Sequence, residues 1–508
     1  MSQQNKPNVV LPLAISYNQR NNAGYSAATS GFDQRKVNCM YELATNALTG
    51  KQTLHLVKRP GPDTNSTDYS SSGAVGYLVA QGPFNATPET TPWLFWKSSG
   101  NVIQVNSNAI VTAAAFIPAY VDATYISGTS TVILQIRDDH LTAQRVFYAS
   151  AINSWTEITD SNFTSLIHRG KMEHLDGWAF ILTSTNDIYN SAINSVSSWP
   201  AANKIKKQIQ QDVASGLAKF KNQILAFGNE SVEVFVNAGN ATGSPLRSIP
   251  ELQARVGLGA PAAMWDNSLQ GHTHYYCTVG NKMYFLGRRV PSAFVNAQGV
   301  NSNELWSYDG QRFEKVSNDY ADKLLMNTSD VVGPYSVNAF KVNGKVAVAI
   351  QMTTPATTAQ RWLMYFPEWN DWFEWDSSHM GPVNCGDWFL KGGSGVARAT
   401  AFKTTPNTWA DNGSNFTMTV QFRMPGEDGS RYFMSSYGVV GDTDSTTNNL
   451  AVSYSDDDDA TFSTARNIDM TQQRKLLFRG GAYQKRTFRL ESANARPVRL
   501  AEFVATVK

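Results

Sequence analysis

The chain has 508 residues and a net charge of +2, with 17% charged, 42% hydrophobic and 11% aromatic residues. This length allows two to four domains, or one large repeat domain with appendages, and a core that needs no covalent staples. The nearly balanced charge argues against a protein whose main task is to grip phosphate backbones.

The three cysteines, Cys39, Cys277 and Cys385, are far apart and odd in number. We therefore expect neither a disulfide framework nor a zinc site with closely spaced ligands. The sequence lacks a basic segment followed by an apolar one at its start, and no run approaches the roughly 18 apolar residues of a membrane helix. These features predict a soluble, cytosol-made protein without a secretory signal or a membrane span.

Residues 1–75 are predicted to form an N-terminal arm or platform segment and not an independent compact domain. They contain Pro7, Pro12, Pro60 and Pro62 together with stretches rich in Gly, Ser and Asn, which disfavour regular elements. Residues 37–43 are compatible with either a helix or an extended strand.

A hairpin with an aromatic signature recurs further along the chain. Each copy is a strand with an aromatic end, a short polar turn, and a returning strand that reads aromatic-x-Glu-apolar. The copies are Phe147-Tyr148 with Trp155-Thr156-Glu157-Ile158, Trp306-Ser307-Tyr308 with Phe313-Glu314-Lys315-Val316, and Met364-Tyr365-Phe366 with Trp372-Phe373-Glu374-Trp375. Repetition of one hairpin indicates a repeat architecture.

Residues 76–411 are therefore predicted to form a β-propeller-like domain of about six blades, within an all-β protein. Further hairpins support this prediction, among them the one that turns at Asn343-Gly344, the strongest short turn signal. One stretch departs from the strand pattern, because Ile205, Ile209, Val213 and Leu217 have helical spacing. We expect a helix in the first half of that stretch.

Residues 412–508 change in character and are predicted to form a separate C-terminal β-sandwich or platform domain. Their charge is divided sharply. Between Glu427 and Asp469 there are nine acidic and two basic residues, whereas between Arg474 and Lys508 there are nine basic and two acidic residues.

The run from Asp456 to Asp459 is the strongest candidate for a cation site, because hard cations prefer carboxylate oxygens. A structural turn explains it better. Ser455, Asp457, Thr461 and Phe462 fit the Asp-box pattern Ser-x-Asp-x-Gly-x-Thr-Trp, with Asp459 in place of glycine and Phe462 in place of tryptophan. In that turn the Asp side chain caps backbone amides.

Other candidate sites are weaker. His272, His274 and Cys277 have ligand-like character on one short strand. Alternation places His272 and His274 on the same face, but no third and fourth ligands are evident for that pair. The run Gly392-Gly393-Ser394-Gly395 lacks the lysine and the helix of a phosphate cradle. Trp369, Trp372 and Trp375 are better explained by packing than by sugar stacking, since aromatics at this spacing do not all share one strand face. We expect no catalytic, cofactor-binding or metal-binding residues.

The basic stretch at residues 474–499 invites a DNA-binding interpretation. Its alternation places many charges on one strand face, so a polar face or a contact with a neighbouring subunit explains it better. We expect charge reversal at Arg486 and Arg489 to weaken assembly of a ring.

Two regions of the sequence resemble one known family, the tail hub or nozzle proteins (packaged-DNA stabilisation proteins) of short-tailed bacteriophages. The first region is the run Asp33-Gln34-Arg35-Lys36-Val37-Asn38-Cys39, followed by Asn46-Ala47-Leu48-Thr49-Gly50-Lys51 and Leu56-Val57-Lys58-Arg59-Pro60-Gly61. The second is Phe227-Gly228-Asn229-Glu230-Ser231-Val232-Glu233-Val234-Phe235, followed by Gly257-Leu258-Gly259-Ala260-Pro261 and Met283-Tyr284-Phe285-Leu286-Gly287-Arg288. The chain departs from the family pattern at Glu251-Leu252, where a glycine pair is usual.

The resemblance implies a structural virion protein that forms a ring, typically six-fold, in the tail below the portal and adaptor rings. Such a ring, assembled in the bacterial host cytoplasm, extends the DNA channel, retains the packaged genome and docks fibre, spike or needle proteins. The implied partners are other copies of the chain, a head-to-tail adaptor, these tail proteins, and double-stranded DNA passing without sequence-specific contacts. No cofactor is implied.

Two other functions compete with this one. The Asp-box-like turn is also found in propeller glycosidases and sialidase-like enzymes, which need converging carboxylates that the sequence does not show. A receptor-recognition tail protein that binds host glycans through aromatic loops is the third possibility. On balance the sequence predicts that the protein is not an enzyme.

Overall fold

The computed structural model of the protein describes part of the chain. The described residues are 9–14, 34–45, 52–68, 75–80, 93–97, 102–105, 108–111, 118–126, 131–138, 144–151, 154–210, 212–240, 242–258, 275–289, 303–326, 337–352, 360–377, 380–382, 388–391, 400–411, 413–424 and 430–508. Strands form nearly all of the regular structure in these ranges. None of the helices in them is long and apolar enough to cross a membrane.

The strands of the first quarter of the chain are β1 (Val9–Pro12), β2 (Arg35–Val37), β3 (Cys39–Thr45), β4 (Gln52–Lys58), β5 (Pro62–Asp68), β6 (Val75–Ala80), β7 (Trp93–Lys97), β8 (Val102–Val105) and β9 (Asn108–Val111). The next are β10 (Pro118–Ile126), β11 (Thr131–Asp138), β12 (Gln144–Ala151), β13 (Ser154–Glu157), β14 (His168–Leu175), β15 (Trp178–Thr183), β16 (Asp187–Asn190), β17 (Lys204–Lys206), β18 (Ala214–Phe220), β19 (Gln223–Gly228), β20 (Val232–Asn237), β21 (Leu246–Ser248) and β22 (Val256–Leu258).

The second half contains β23 (Tyr276–Val279), β24 (Lys282–Arg289), β25 (Asn303–Tyr308), β26 (Phe313–Lys315), β27 (Val337–Val342), β28 (Lys345–Met352), β29 (Gln360–Phe366), β30 (Asp371–Ser377), β31 (Met380–Pro382), β32 (Trp388–Lys391) and β33 (Thr400–Thr404). The last strands are β34 (Ala410–Asp411), β35 (Ser414–Asn415), β36 (Met418–Arg423), β37 (Tyr432–Gly441), β38 (Asn449–Ser455), β39 (Arg466–Asp469), β40 (Leu476–Tyr483), β41 (Thr487–Ser492) and β42 (Arg499–Val507). Among the described residues the helical segments are α1 (Ser161–Thr164), α2 (Asp319–Met326) and a single 3-10 turn (Pro250–Leu252).

The chain divides into two compact units. One, which we name the sandwich unit, combines residues 1–65, 361–378 and 403–508. The other, which we name the propeller-like unit, combines residues 66–360 and 379–402.

The propeller-like unit contains consecutive antiparallel sheets, each built from neighbouring strands. The first four sheets have the strand orders β6-β7-β8-β9, β10-β11-β12-β13, β14-β15-β16-β17 and β18-β19-β20-β21, and the fifth has the order β22-β24-β25-β26 with β23 also paired to β24. The first strands of successive sheets contact one another. Four-stranded sheets in series, joined at their first strands, are typical of propeller blades.

The period of two along each strand explains why successive sheets pack face to face. On β19, Ile224 and Ala226 pack against the third sheet, whereas Leu225 and Phe227 pack against the fifth. All four side chains are fully buried. Burial of a large apolar side chain is worth about 1.5–3 kcal/mol, so these alternating contacts stabilise the packing of the third, fourth and fifth sheets.

In its described residues the sandwich unit has two large sheets and the small β34-β35 hairpin. One runs β3-β4-β42-β37-β40 with β1 also paired to β42, and the other contains β29-β30-β2-β36-β41-β38-β39. Aromatic side chains fill the space between them, since Phe503 lies 4.9 Å from Phe422 and 4.7 Å from Phe488 between ring centroids. Strand pairing brings β1 to β4 from the start of the chain into these same two sheets.

The predictions of an all-β protein and of consecutive propeller-like sheets are confirmed. Trp306, Ser307 and Tyr308 pair with Lys315, Glu314 and Phe313, as the hairpin signature predicts. The predicted helix in the stretch that begins at Ile205 is wrong, because the chain there forms β17, an irregular connection and β18.

The domain boundaries predicted at residues 75 and 411 differ from the boundaries of the two compact units in the structure. The predicted arm supplies β2, β3 and β4 to the sandwich unit, and the hairpin with Trp372 and Trp375 belongs to that unit as well. The physical reason is long-range pairing. Val37 lies beside Glu374 in a parallel ladder and beside Thr419 in an antiparallel one, and no local pattern encodes either register.

Candidate functional site

The first of the two regions that carry the family resemblance forms a buried polar network inside the sandwich unit. Arg59 is only 1% exposed. Its guanidinium donates two hydrogen bonds to the Asp411 carboxylate, at 2.9 and 2.7 Å, one to the backbone oxygen of Asp376 at 2.9 Å and one to Asn38 Oδ1 at 2.9 Å. Its plane stacks 3.8 Å from the ring centroid of Phe416. A bidentate pair of this kind fixes both distance and orientation.

A second buried cation of the sandwich unit is Lys36. Its ammonium pairs with the Asp371 carboxylate and donates to the Tyr41 hydroxyl at 2.8 Å, and that hydroxyl donates to the same carboxylate at 2.5 Å. Lys36 and Asp371 are each about 5% exposed. The ammonium, the hydroxyl and the carboxylate are therefore mutually hydrogen-bonded, and they link β2, β3 and β30.

The glutamate of the third aromatic hairpin is the acceptor for two arginines. Glu374 accepts from Arg35 at 2.7 and 2.9 Å and from Arg361 at 2.6 Å. The aromatic-x-Glu pattern thus places a carboxylate where β2 meets β30. Because leaving one partner of a buried ion pair alone is strongly destabilising, such a network specifies one strand register over others.

The second region of resemblance also holds a buried charge cluster, within the propeller-like unit. Lys207, whose side chain is fully buried, pairs with Asp212 and donates to Ser231 Oγ at 2.9 Å. Asp212 accepts from the backbone amides of Glu230 and Ser231 at 2.7 and 2.9 Å. Glu233 accepts from the amides of residues 208–210. The hairpin therefore anchors the connection between the third and fourth sheets.

A carboxylate and a phenol meet near the first strands of the propeller-like unit. Tyr276 donates from its hydroxyl to Glu173 Oε1 at 2.5 Å. Burial and the nearby Glu173 carboxylate raise the pKa of Tyr276 well above its usual value. Lys171 Nζ lies 5.9 Å from the Tyr276 ring centroid. A buried acid therefore faces a phenol hydroxyl at this point.

The predicted Asp-box-like turn is present. Asp457 accepts from the amide of Thr461 at 2.9 Å, and Ser455 Oγ accepts from the amide of Asp459 at 3.0 Å. Hydrogen bonds from Ser455 and Thr461 lower the pKa of Asp457 to about 2. In this turn Asp457 caps backbone amides, as the sequence predicts.

The other carboxylates of the turn have protein partners as well. Asp456 pairs with Arg486, Asp458 with Arg423 at 3.1 Å, and Asp459 accepts from Gln421 at 2.8 Å. Within the described ranges no three His, Cys, Asp or Glu side chains are placed to hold a metal ion.

Arg486 is a core residue, which changes the expectation built on it. Its guanidinium stacks 3.9 Å from the Tyr454 ring centroid and 4.6 Å from that of Tyr483, and binds Asp456 with two hydrogen bonds of 2.7 and 2.6 Å. Charge reversal there would break the fold of the sandwich unit before it tested any subunit contact. Arg489 is different, because it is 31% exposed and stacks on Phe462 at 3.7 Å.

The remaining candidates fall into two groups. His272, His274, Cys385 and the glycine run at residues 392–395 lie outside the described residues. Cys39 and Cys277 are buried free thiols, and burial raises the pKa of both, which makes them poor nucleophiles. Trp372 and Trp375 are buried, at 4% and 2% exposure, which agrees with packing and not with a sugar platform.

Sequence reasoning missed the acidic halves of both charge clusters. Asp371, Asp411 and Asp212 lie in ordinary polar turns or short strands. The cation partners of Asp371 and Asp411 are more than 300 residues away, whereas Asp212 pairs with the nearby Lys207. A usable signal was the presence of consecutive cations, at Arg35-Lys36, Lys58-Arg59 and Lys206-Lys207. Cations in a buried strand need carboxylate partners.

No protein-family model matches the chain, and no curated protein matches it. Solved structures that match it include an exo-β-1,3-galactanase from Phanerochaete chrysosporium, at 9% identity and a TM-score of 0.31, covering 79% of this chain and 97% of that one. BamB from Moraxella catarrhalis matches at 10% identity and 0.33, covering 70% and 97%. The WD40 domain of Toxoplasma gondii coronin matches at 9% and 0.33, covering 72% and 87%. At these values the matches assign no activity to this chain.

The prediction that the protein is not an enzyme is wrong as an exclusion. It is overturned by the structural matches, which include the galactanase and a further glycoside hydrolase. An all-β architecture of consecutive sheets is therefore no ground for ruling out catalysis.

Proposed function

We propose that the protein is a ring-forming structural subunit of the tail hub or nozzle of a short-tailed bacteriophage. The observation that carries the proposal is the position of the residues of resemblance. Arg35, Lys36 and Arg59 supply cations to the network that joins β2, β30 and the β34 hairpin in the sandwich unit. The likeness to the family thus concerns residues that determine a fold, not exchangeable surface positions.

The charge of the chain fits this role. A net charge of +2 lets a protein border DNA without the strong counterion-driven binding of a basic lumen, so DNA can slide and leave. In this proposal about six copies form a closed ring with heterologous contacts. The ring meets the adaptor on one side and docks fibre, spike or needle proteins, and the sheets of the propeller-like unit close as about six blades.

Native mass spectrometry of the purified full-length protein tests the proposal. We expect a closed oligomer of about six copies, in line with the family. Sedimentation over a range of protein concentrations would separate a closed ring from open-ended association, since only the former stops growing. A protein that stays monomeric at every concentration contradicts the proposal.

A glycosidase- or sialidase-like enzyme is the second candidate, and the Tyr276–Glu173 contact favours it. Sialidases differ from most glycosidases by using a tyrosine nucleophile, and here a tyrosine hydroxyl donates to a buried glutamate at 2.5 Å. The raised pKa of Tyr276 opposes this role, because it disfavours the phenolate.

Hydrolysis of a fluorogenic sialoside and of fluorogenic neutral glycosides tests the second candidate. If it is correct, Glu173→Gln should lower the rate by at least about 100-fold. The matched variant Glu314→Gln, on an exposed hairpin of the same unit, should leave the rate unchanged. No turnover by the wild-type protein would remove this candidate and leave the ring proposal untouched.

A further inference from the structure

A small cleft of about 210 Å³ opens between the second and third sheets of the propeller-like unit. Its walls come from β11 and β12, from the end of β14 with its turn, and from the connection that follows β16. The polar side chains that line it are Thr131, Tyr148, His174, Asn194, Ser195 and Ser197. The cleft is smaller than the roughly 300–1,000 Å³ of sites for drug-sized ligands. It therefore fits a ligand about as large as a single six-membered ring with its substituents.

The lining of this cleft carries no formal charge at neutral pH. No Asp, Glu, Lys or Arg is among its described lining residues. Burial, together with repulsion from Lys219, lowers the pKa of His174 to about 4, so its imidazole is neutral. A neutral imidazole, hydroxyls and an amide both donate and accept hydrogen bonds. These groups can hydrogen-bond the hydroxyl groups at the rim of an uncharged ligand. They offer no counter-charge for an anion or a cation.

The connection that carries Asn194, Ser195 and Ser197 is held in place before any ligand arrives. The backbone N–H of Asn194 donates to the Gly177 oxygen at 2.7 Å, and the backbone N–H of Ser195 donates to the Ala192 oxygen at 3.2 Å. Trp199, which is buried, donates from its indole to the Val196 oxygen at 2.9 Å. A connection fixed at three points loses little conformational freedom on binding, which favours affinity for a small ligand.

Tyr148 supplies an apolar wall. It lies opposite Ile133 and Thr156 in the second sheet and packs against the buried cluster that contains Phe163 and Trp199. An aromatic ring beside hydroxyl and amide groups suits a sugar, which has an apolar C–H face and a polar rim.

We propose that this cleft binds one neutral pyranose unit of a glycan. This inference goes beyond the proposed role as a subunit of an oligomeric tail ring. All lining residues belong to one unit of a single chain, so binding does not require assembly of the oligomer. It is also separate from the hydrolysis candidate, whose Tyr276 and Glu173 do not line the cleft.

Ligand-observed saturation-transfer NMR on the full-length protein tests the proposal. The probes are the methyl glycosides of glucose, galactose, mannose and N-acetylglucosamine, with the methyl glycoside of N-acetylneuraminic acid as the anionic comparison. We expect at least one neutral glycoside to bind with a dissociation constant of about 1 mM. Asn194→Ala and Ser197→Ala should each weaken it about fivefold, the effect of losing one neutral hydrogen bond.

The control is Ser184→Ala, which changes an exposed serine in the β15–β16 turn and should bind as the wild type does. Thermal melting of each variant shows that it is folded. The proposal is overturned if no neutral glycoside binds, if the anionic glycoside binds in preference, or if folded Asn194→Ala and Ser197→Ala proteins retain wild-type affinity.

Discussion

At the scale of single residues, the fold depends on cations placed inside strands. Arg59, Lys58 and Lys36 are nearly inaccessible to water, as is Lys207 in the other unit. Burying a charge without a partner is prohibitive, so each of these side chains requires the oxygens it contacts. This requirement links positions that lie hundreds of residues apart, such as Arg59 and Asp411.

Replacement of Arg59 by methionine should destabilise the protein by about 3–5 kcal/mol, because Asp411 is then left buried without its partner. Guanidinium unfolding monitored by tryptophan fluorescence measures this loss. Arg496→Met, at an exposed position of the same unit, should change stability by less than about 0.5 kcal/mol.

The double variant Arg59→Met with Asp411→Leu distinguishes pairing from packing. It removes both charges and should recover most of the loss, because neither charge remains buried alone. If the double variant is as unstable as the sum of its single changes, the ion pair is not the reason for the effect.

Lys58 gives the protein a pH dependence with a defined sign. Burial and repulsion from Arg59 lower the pKa of Lys58 to about 8. The unfolded chain holds that proton up to about pH 10.5. The native state therefore binds fewer protons than the unfolded state between about pH 8 and 10.5, and stability rises with pH across that window.

Lys58→Met should remove this rise. Melting temperatures of the wild type and the variant, measured from about pH 7 to 10, give the difference between the two curves. Above about pH 8 the melting temperature of the wild type should rise relative to that of the variant. Parallel curves of melting temperature against pH would show that Lys58 is not the group responsible.

At the scale of elements, hairpins could be predicted from sequence and sheet registers could not. Asn343 and Gly344 have φ of 47° and 76°, the left-handed values that a two-residue hairpin turn requires. The order of strands in the sandwich unit could not be predicted from local sequence patterns, because β2 pairs with β30 and β36, which lie more than 300 residues away.

The predicted helix near Ile205 shows how tertiary contacts override a periodicity. The amides of residues 208–210 donate to Glu233, and Lys207 and Asp212 fix the two ends of the connection. A helix there would withdraw those amides from Glu233. Ile209 and Val213, which made the helical spacing, are exposed at 38% and 58%.

The contact between the third and fourth sheets depends on glycine at one crossing point. Gly170 has a φ of +70°, and a Cβ there would lie 2.4 Å from the Gly216 Cα. Gly170→Ala should therefore cost the left-handed strain of about 1–2 kcal/mol and a further 1–3 kcal/mol, roughly, for overpacking.

Gly239→Ala is the matched control, since Gly239 has a φ of +68° and a Cβ added there would meet no other atom within 4 Å. Both variants carry the same backbone strain, so the difference between their unfolding free energies isolates the close approach of the two sheets. Equal losses in the two variants would mean that the sheets can separate at this point without cost.

At the scale of the whole molecule, the aromatic hairpins and the resemblance describe different things. The hairpins occur in both units, at Trp306–Phe313 in one and at Phe366–Trp372 in the other, so they indicate antiparallel sheet and not one repeat domain. Three cations of the resemblance, Arg35, Lys36 and Arg59, each pair with a buried carboxylate. Sequence could identify those cations, but their carboxylates became visible only in the folded chain.

The mixed charge of the last hundred residues is also used within the fold. Asp456 and Asp458 pair with Arg486 and Arg423, so part of the acidic half neutralises basic residues of its own unit. Arg489 is the better position for testing subunit contacts, because it is accessible and a change there spares the core.

Electron microscopy of the purified full-length protein, with Arg489→Glu as a folded comparison, tests the central proposal most directly. The proposal predicts wild-type particles with a central opening and about six-fold symmetry, and fewer closed rings for the variant. Single compact particles of one chain, without rings at any concentration, would contradict it.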